Sequence, residues 1–264
     1  MIHIPRDPWA LLSSRTPARI AIGRTGASLP TREVLSFALA HARARDAVHA
    51  RLDREAVSSK IQALGLVPIE VESMATDRAT YLRRPDLGRK LTDASRRRLA
   101  MAADRGCDIA LLIGDGLSAT AVASHAVKVV EHLLPHLKKL GGEIGPVVIA
   151  EGARVALGDE AGELLRAKIL AVLIGERPGL SAPDSLGVYV TYAPRPGRTD
   201  AERNCISNVR HGGLALEIAA ANLAWLLEAG CSLQATGVAL KDRSGQITAA
   251  SIVRPTELPY RQPE

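Results

Sequence analysis

From residue 107 onward the chain alternates short apolar runs with helical patterns, and this alternation limits the fold more than any other feature. The runs CDIALLIGDG, GPVVIAEGAR and ILAVLIGERPG are almost entirely apolar until each breaks at glycine and charge. A strand with one solvated face alternates apolar and polar residues, whereas one buried on both faces reads as a continuous apolar run. Between the runs lie the helical stretches SATAVASHAVKVVEHLLPHLKKLG and GDEAGELLRAK. Strand, helix, strand, helix, strand is the order of an α/β sheet covered by helices on both sides. SLGVYVTYAP adds a strand, ALEIAAANLAWLLEAG a closing helix and ATGVALKD a short last strand. The expectation is a Rossmann-like, doubly wound, mainly parallel sheet over residues 96–264.

Residues 1–95 read differently, as a smaller helical N-terminal domain and linker. In PTREVLSFALAHARARDAVHARL, Pro30 suits a first helical turn, and Leu35, Ala38, Leu39 and Ala42 share one face. His41, Arg45 and His49 stack on another side, but an arginine between two imidazoles argues against a metal there. A second helix surrounds SSKIQALG. VPIEVESMATDRATYLRRPDLGRKL has mixed periodicity and many charges, so it reads as an extended linker with a turn at RPDLG.

Composition narrows the function classes. At 264 residues with 47% apolar content, the chain can build a sizeable core. It has no apolar run of about 18 residues, the length a membrane span needs, and MIHIPRDPWALLSSR lacks the basic-then-apolar order of a secretory signal, so an intracellular, cytoplasmic protein is expected. Cys107, Cys205 and Cys231 are widely spaced, which indicates neither a disulfide framework nor a structural zinc site. The net charge of +6 raises the question of nucleic acid, but 3% aromatic residues leave few stacking platforms. Arg83, Arg84, Arg89, Lys90 and Arg96 to Arg98 read as a solvated or subunit-contacting face.

In open α/β sheets ligands sit beyond the carboxyl ends of the strands. Three turns converge there: Gly114-Asp115-Gly116, Glu151 to Val155, and Gly175 to Gly179. The first is no dinucleotide fingerprint, because Ala119 stands where G-x-G-x-x-G needs its third glycine, and no phosphate-binding P-loop is present. G-x-S-x-G is missing, and Cys205 has no local base, since His211 lies six residues away. Asp115 and Glu176 would form a carboxylate pair only if their turns abut. The residues by themselves describe a ligand-binding α/β domain with a helical N-terminal module.

A set of segments, in order, resembles one family. IGRTGASLPTREVLSFALAHARARDAVH, DRATYLRRPDLGRKL, LLIGDGLSATAV, IGERPGLSAPDSLGVYVTYAP and RNCISNVR are similar to the small (light) subunit of ethanolamine ammonia-lyase, over about residues 16–240. The resemblance implies adenosylcobalamin held between this chain and a TIM-barrel large subunit, in a hetero-oligomer that deaminates ethanolamine to acetaldehyde and ammonia by radical chemistry. It implies cofactor contacts at Val155 in GARVA, Glu176 in GERPG and Cys205 in NCISN, with no catalytic residue and no metal ligand from this chain. No D-x-H-x-x-G motif is present, consistent with a cofactor that keeps its own base on cobalt. Some members enter bacterial microcompartments through an N-terminal extension; here only Asp7 to Ser13 is a weak amphipathic candidate, which leaves enclosure open. Two rival readings remain: a free-standing α/β enzyme binding a nucleotide or methyl donor, and a basic nucleic-acid or scaffold protein.

Overall fold

The computed structural model describes residues 9–103 and 106–241. Its strands are β1 (Pro68–Glu72), β2 (Cys107–Gly114), β3 (Ile144–Glu151), β4 (Ala167–Gly175), β5 (Leu186–Tyr192) and β6 (Arg203–Val209). They form one sheet in the order β1-β3-β2-β4-β5-β6. The first four are parallel, and β5 and β6 then run antiparallel to their neighbours. The helices among the described residues are α1 (Ala10–Ser13), α2 (Thr31–His49), α3 (Arg54–Ala63), α4 (Arg78–Arg83), α5 (Asp93–Ala102), α6 (Ala119–Ala121), α7 (Val127–Leu140), α8 (Leu157–Leu164) and α9 (Leu216–Leu233). One π-helical turn, Val122–Ala126, joins α6 to α7.

The parallel strands are buried on both faces, as their apolar runs require. Along β2, Ile109, Leu111 and Ile113 enter a core shared with α3, α7 and α9, while Ala110 and Leu112 face Leu99 of α5 and Leu157 of α8. Full burial of each such Leu, Ile or Val stabilises the fold by about 1.5–3 kcal/mol. Among the described residues α9 alone is long and apolar enough to cross a membrane, yet it packs against β4, β5, β6 and α7. Its Leu223, Leu226 and Leu227 are buried in the first core.

Three segments depart from the expectation. The stretch taken as a linker supplies β1, which pairs with β3 from Pro68↔Val147 to Glu72↔Glu151. Its short alternation, half-buried from Pro68 to Glu70 with Val71 buried and Glu72 exposed, is what an edge strand permits, and it obscured the signal. RNCISNV, not read as a strand, is β6. ATGVALKD carries only a single 3-10 turn, Gly237–Ala239, because Gly237 adopts φ +73 and Thr236 turns its hydroxyl back onto β5 and β6; residue 242 lies outside the described residues. Helix α2 forms as expected, but Leu35 and Leu39 are exposed and Ala47 is its one buried residue. Of Asp7 to Ser13, residues 7 and 8 lie outside the described residues, and the rest contains the single turn of α1.

Candidate functional site

Parallel pairing brings the carboxyl ends of β2, β3 and β4 to one edge, and the three turns that leave them interlock there. Gly116 takes φ +56, and the Leu117 N–H beside it donates to the Gly175 carbonyl at 2.9 Å. A Cβ on Gly175 would overlap the Ser118 carbonyl, and one on Gly114 would come within 2.9 Å of the Ala153 Cβ. Asp115 is buried; its Oδ1 accepts from the Ala153 N–H at 2.9 Å and its Oδ2 from Arg78 at 3.3 Å. Burial pushes this carboxyl up, while the Ala153 N–H and the Arg78 charge pull it down. The Gly-Asp-Gly turn therefore grips protein, fixing the Gly152–Val155 and Gly175–Glu176 turns against each other.

The segment DRATYLRRPDLG clamps the same edge from outside. Tyr81, 1% exposed, donates its hydroxyl to the Ala153 carbonyl at 3.0 Å. Its ring lies between two guanidiniums, Arg78 at 4.7 Å and Arg154 at 4.2 Å from the centroid. The Arg154 N–H donates to the Gly88 carbonyl at 2.8 Å. Nothing in the sequence marked Tyr81 or Arg78 as site residues, because an aromatic and an arginine in a charged stretch carry no spacing signal.

Beyond this edge the sheet opens. Helix α9 covers one face of β5 and β6, whereas Cys205 and Ser207 on the other are exposed. Glu176 folds back over Gly187, whose absent Cβ would lie 3.0 Å from the Glu176 Cγ. Its carboxylate accepts from the Ser185 hydroxyl at 2.5 Å, the Ser207 hydroxyl at 2.5 Å and the Asn208 N–H at 3.2 Å. These donors leave acceptor capacity on Oε1, since a carboxylate offers about four lone-pair positions. Cys205 pairs in register with Tyr189, and desolvation there pushes its thiol up, partly offset by the bond to the Tyr189 phenol. Tyr189 and Val155 line one cavity of about 430 Å³. Glu176 and Cys205 thus share a patch, and Val155 joins it across Tyr189.

The turns of Asp115 and Glu176 abut, but the two carboxylates have distinct partner sets: Ala153 and Arg78 for Asp115, and Ser185, Ser207 and Asn208 for Glu176. His41 stacks edge-on with Phe37 at 4.6 Å, and among the described residues no three His, Cys, Asp or Glu side chains are grouped to hold a metal. Cys107 is buried and its thiol is pushed up to about 11 by desolvation, which makes it inert at neutral pH. Behind the open patch, Arg203 and Asp159 form a two-pronged ion pair at 2.6 Å for each bond, each side chain 2% exposed. Thr191 accepts the remaining Arg203 NH1 bond at 2.9 Å.

Taken together, a rigid carboxyl edge continues into an open sheet face floored by glycine and edged by a cysteine and hydroxyls, with a carboxylate that no cation neutralises among the described residues. That defines a class: a mixed α/β protein with a mostly parallel six-stranded sheet, one face of its antiparallel edge exposed, and an exposed amphipathic helix elsewhere on its surface. The family model for the ethanolamine ammonia-lyase light chain matches residues 6–241. The ethanolamine ammonia-lyase small subunit of Bradyrhizobium diazoefficiens is 57% identical over 242 residues, covering 91% of this chain and 93% of that one. Those of Rhodopseudomonas palustris and Pseudomonas aeruginosa are 53% identical over 258 residues (98% and 97% covered) and 51% identical over 249 residues (92% and 91% covered). The chain belongs to the ethanolamine ammonia-lyase light-chain family.

Proposed function

We propose that this chain is the small subunit of an adenosylcobalamin-dependent ethanolamine ammonia-lyase, binding the cofactor on the open face of β4, β5 and β6 where it meets a TIM-barrel large subunit. The observation that carries the reading is the Glu176 carboxylate, held by three donors over a glycine-floored sheet face and left without a cation. A corrinoid ring is flat and rimmed by neutral amides, so it needs a smooth surface and acceptors for N–H bonds rather than an arginine clamp. Gly187 leaves the surface low, Cys205 and Ser207 keep it small, and Oε1 of Glu176 retains an acceptor position. Val155, half-buried behind Tyr189, supplies an apolar edge. When bound, the cofactor supplies cobalt–carbon homolysis and the radical that initiates deamination of ethanolamine.

This chain's own work is binding, orientation and exclusion of water. Asp115 and Tyr81 pin the Val155 turn, and Ser185 pins Glu176, so the face is formed before any ligand arrives. Pre-organisation of this kind lowers the ordering cost of binding. The Tyr189 phenol beside the patch is pushed up by burial, and the free acceptor position of Glu176 is assigned to the cofactor's amides. The sheet supports a Rossmann-like, doubly wound reading, because α3 and α7 lie on one face and α5 and α8 on the other. We divide the chain by role into an N-terminal module and linker, residues 1–95, and a cobalamin-contacting domain, residues 96–264, although β1 sits in the shared sheet. The exposed Leu35, Phe37 and Leu39 of α2 favour a permanent hetero-oligomeric partner over a free-standing enzyme. A cytoplasmic setting, free or within a bacterial microcompartment, follows from the same reading.

The test is to co-purify the chain with its large subunit and assay acetaldehyde release from ethanolamine with and without adenosylcobalamin, each subunit alone as control. Cofactor-dependent release from the pair only is the expected result. Release by the isolated chain, or none from an assembled pair with cofactor present, would refute the assignment.

A further inference from the structure

We infer that the cavity behind Val155 is an anion subsite, built around Arg89 and Arg154, that takes the phosphodiester of the cofactor's nucleotide tail. The inference rests on the cobalamin reading and extends it from the ring to the tail. Four arginines, Arg89, Arg154, Arg198 and Arg203, line this cavity of about 430 Å³ against a single carboxylate, Asp200. Two of the four are already committed. Arg203 is held by Asp159, and Arg198 donates to Glu202 at 2.5 Å and to the Tyr192 and Ala193 carbonyls.

The other two retain donors. Arg154 gives one bond, to the Tyr81 carbonyl at 3.2 Å, and its Nε is buried with no hydrogen-bond partner. The Tyr81 ring fixes its plane, so the guanidinium is oriented without being neutralised. The Arg89 side chain has no hydrogen bond or ion pair among the described residues; its backbone N–H donates to the Asp86 carbonyl at 3.4 Å, and the residue also lines the adjoining cavity of about 570 Å³, which Asp86, Asp159 and Glu160 share. Part of the basic stretch around it is satisfied internally: Arg84 by Asp86, Arg96 by Glu160, and Arg98 by the Glu70 carbonyl. One guanidinium oriented by a ring, at Arg154, beside a second, exposed and unpaired one, at Arg89, suits a phosphate, whose oxygens take charge-assisted bonds from a planar fork. Glu176 faces the ring's neutral amides, whereas this cavity opens beside Val155 at the rim of the same patch. In adenosylcobalamin the phosphodiester is the group whose negative charge would match it.

The experiment uses the assembled complex with the large subunit and two probes, cyanocobalamin and dicyanocobinamide, which has the same ring without the phosphate-bearing tail. Equilibrium binding is read by absorbance for wild type, Arg89→Gln and Arg154→Lys, with subunit assembly checked by gel filtration. The expected result is about a tenfold to hundredfold loss of cyanocobalamin affinity in the arginine variants, as for a lost charge-assisted bond, with dicyanocobinamide affinity unchanged. Equal losses for both probes, no loss for either, or failure of the subunits to assemble would overturn the subsite; the last would make the cavity a contact for an acidic segment of the large subunit. Glu176→Gln separates the two levels, because it is expected to weaken both probes alike. If it weakens neither, the ring-binding face itself is wrong, whatever the arginines do.

Discussion

Glu176 and Asp115 are both carboxylates at the end of a strand, and their surroundings assign them opposite roles. Glu176 faces an open patch with spare acceptor capacity, so Glu176→Gln is expected to cost about 1.5–3 kcal/mol of cobalamin binding, the value of a hydrogen bond to a charged group. Titration of the complex checks this, and an unchanged affinity would remove Glu176 from the site. Asp115 is spent on the Ala153 N–H and Arg78, a positioning role. The buried Asp159–Arg203 pair is structural, and Asp159→Asn is expected to lower stability by about 3–5 kcal/mol, since one partner removed leaves the other charge buried. Thermal unfolding of the isolated chain reads that loss. Val155, Glu176 and Cys205, the cofactor contacts we propose, were named in the sequence through the motifs around them. Ser185, Ser207 and Tyr81 were not, because a hydroxyl or a ring gains its role from what folding places beside it.

At the scale of elements, the continuous apolar runs of β2, β3 and β4 announced themselves, and their pairing delivered the interlocked turns. Gly116→Ala would place a side chain at φ +56 with its Cβ overlapping the Gly175 carbonyl. The strain alone costs more than about 1 kcal/mol, so a lowered melting temperature and weaker cobalamin binding are expected together, because Gly175 carries Glu176. A fall in only one of the two would separate the turn from the site. β1 and β6 were hidden because edge strands are short and half-polar, and β6 spends its exposed positions on Cys205 and Ser207 rather than on a regular alternation. Glu202, in the 3-10 turn just before β6, closes a capping box with Thr199; that backbone N–H, then Arg198 and the Thr199 hydroxyl, hold its carboxyl down at about 2, against 4.5 unperturbed. A depressed carboxyl stabilises the fold above its unfolded value and loses that contribution as pH falls through the folded one. The melting temperature is therefore expected to drop between about pH 4.5 and about pH 2, and Glu202→Gln to flatten that limb. An identical acid limb in the variant would show that other groups set it.

The described residues form one sheet-centred body with two surfaces that they do not themselves cover: the patch around Glu176 and the apolar side of α2. A helix of 19 residues with one buried side chain gains little packing from the other described residues. Leu35→Asp or Leu39→Asp is expected to leave the chain's melting temperature within about 0.5 kcal/mol equivalent, as for exposed sites, while weakening assembly with the large subunit on gel filtration. Amphipathic spacing revealed this face in the sequence, but spacing alone cannot distinguish a core within the chain from one completed by a partner. The central claim is that cobalamin lies on the open face of β5 and β6. It is tested most directly by alkylating the assembled complex with iodoacetamide at mildly alkaline pH and quantifying each cysteine by mass spectrometry. Cys205 is exposed and Cys107 buried, so the second serves as an internal control. Labelling of Cys205 in the cofactor-free complex that is suppressed as adenosylcobalamin saturates, with Cys231 unaffected, is the predicted result; labelling of Cys205 that stays constant through saturation would place the cofactor elsewhere.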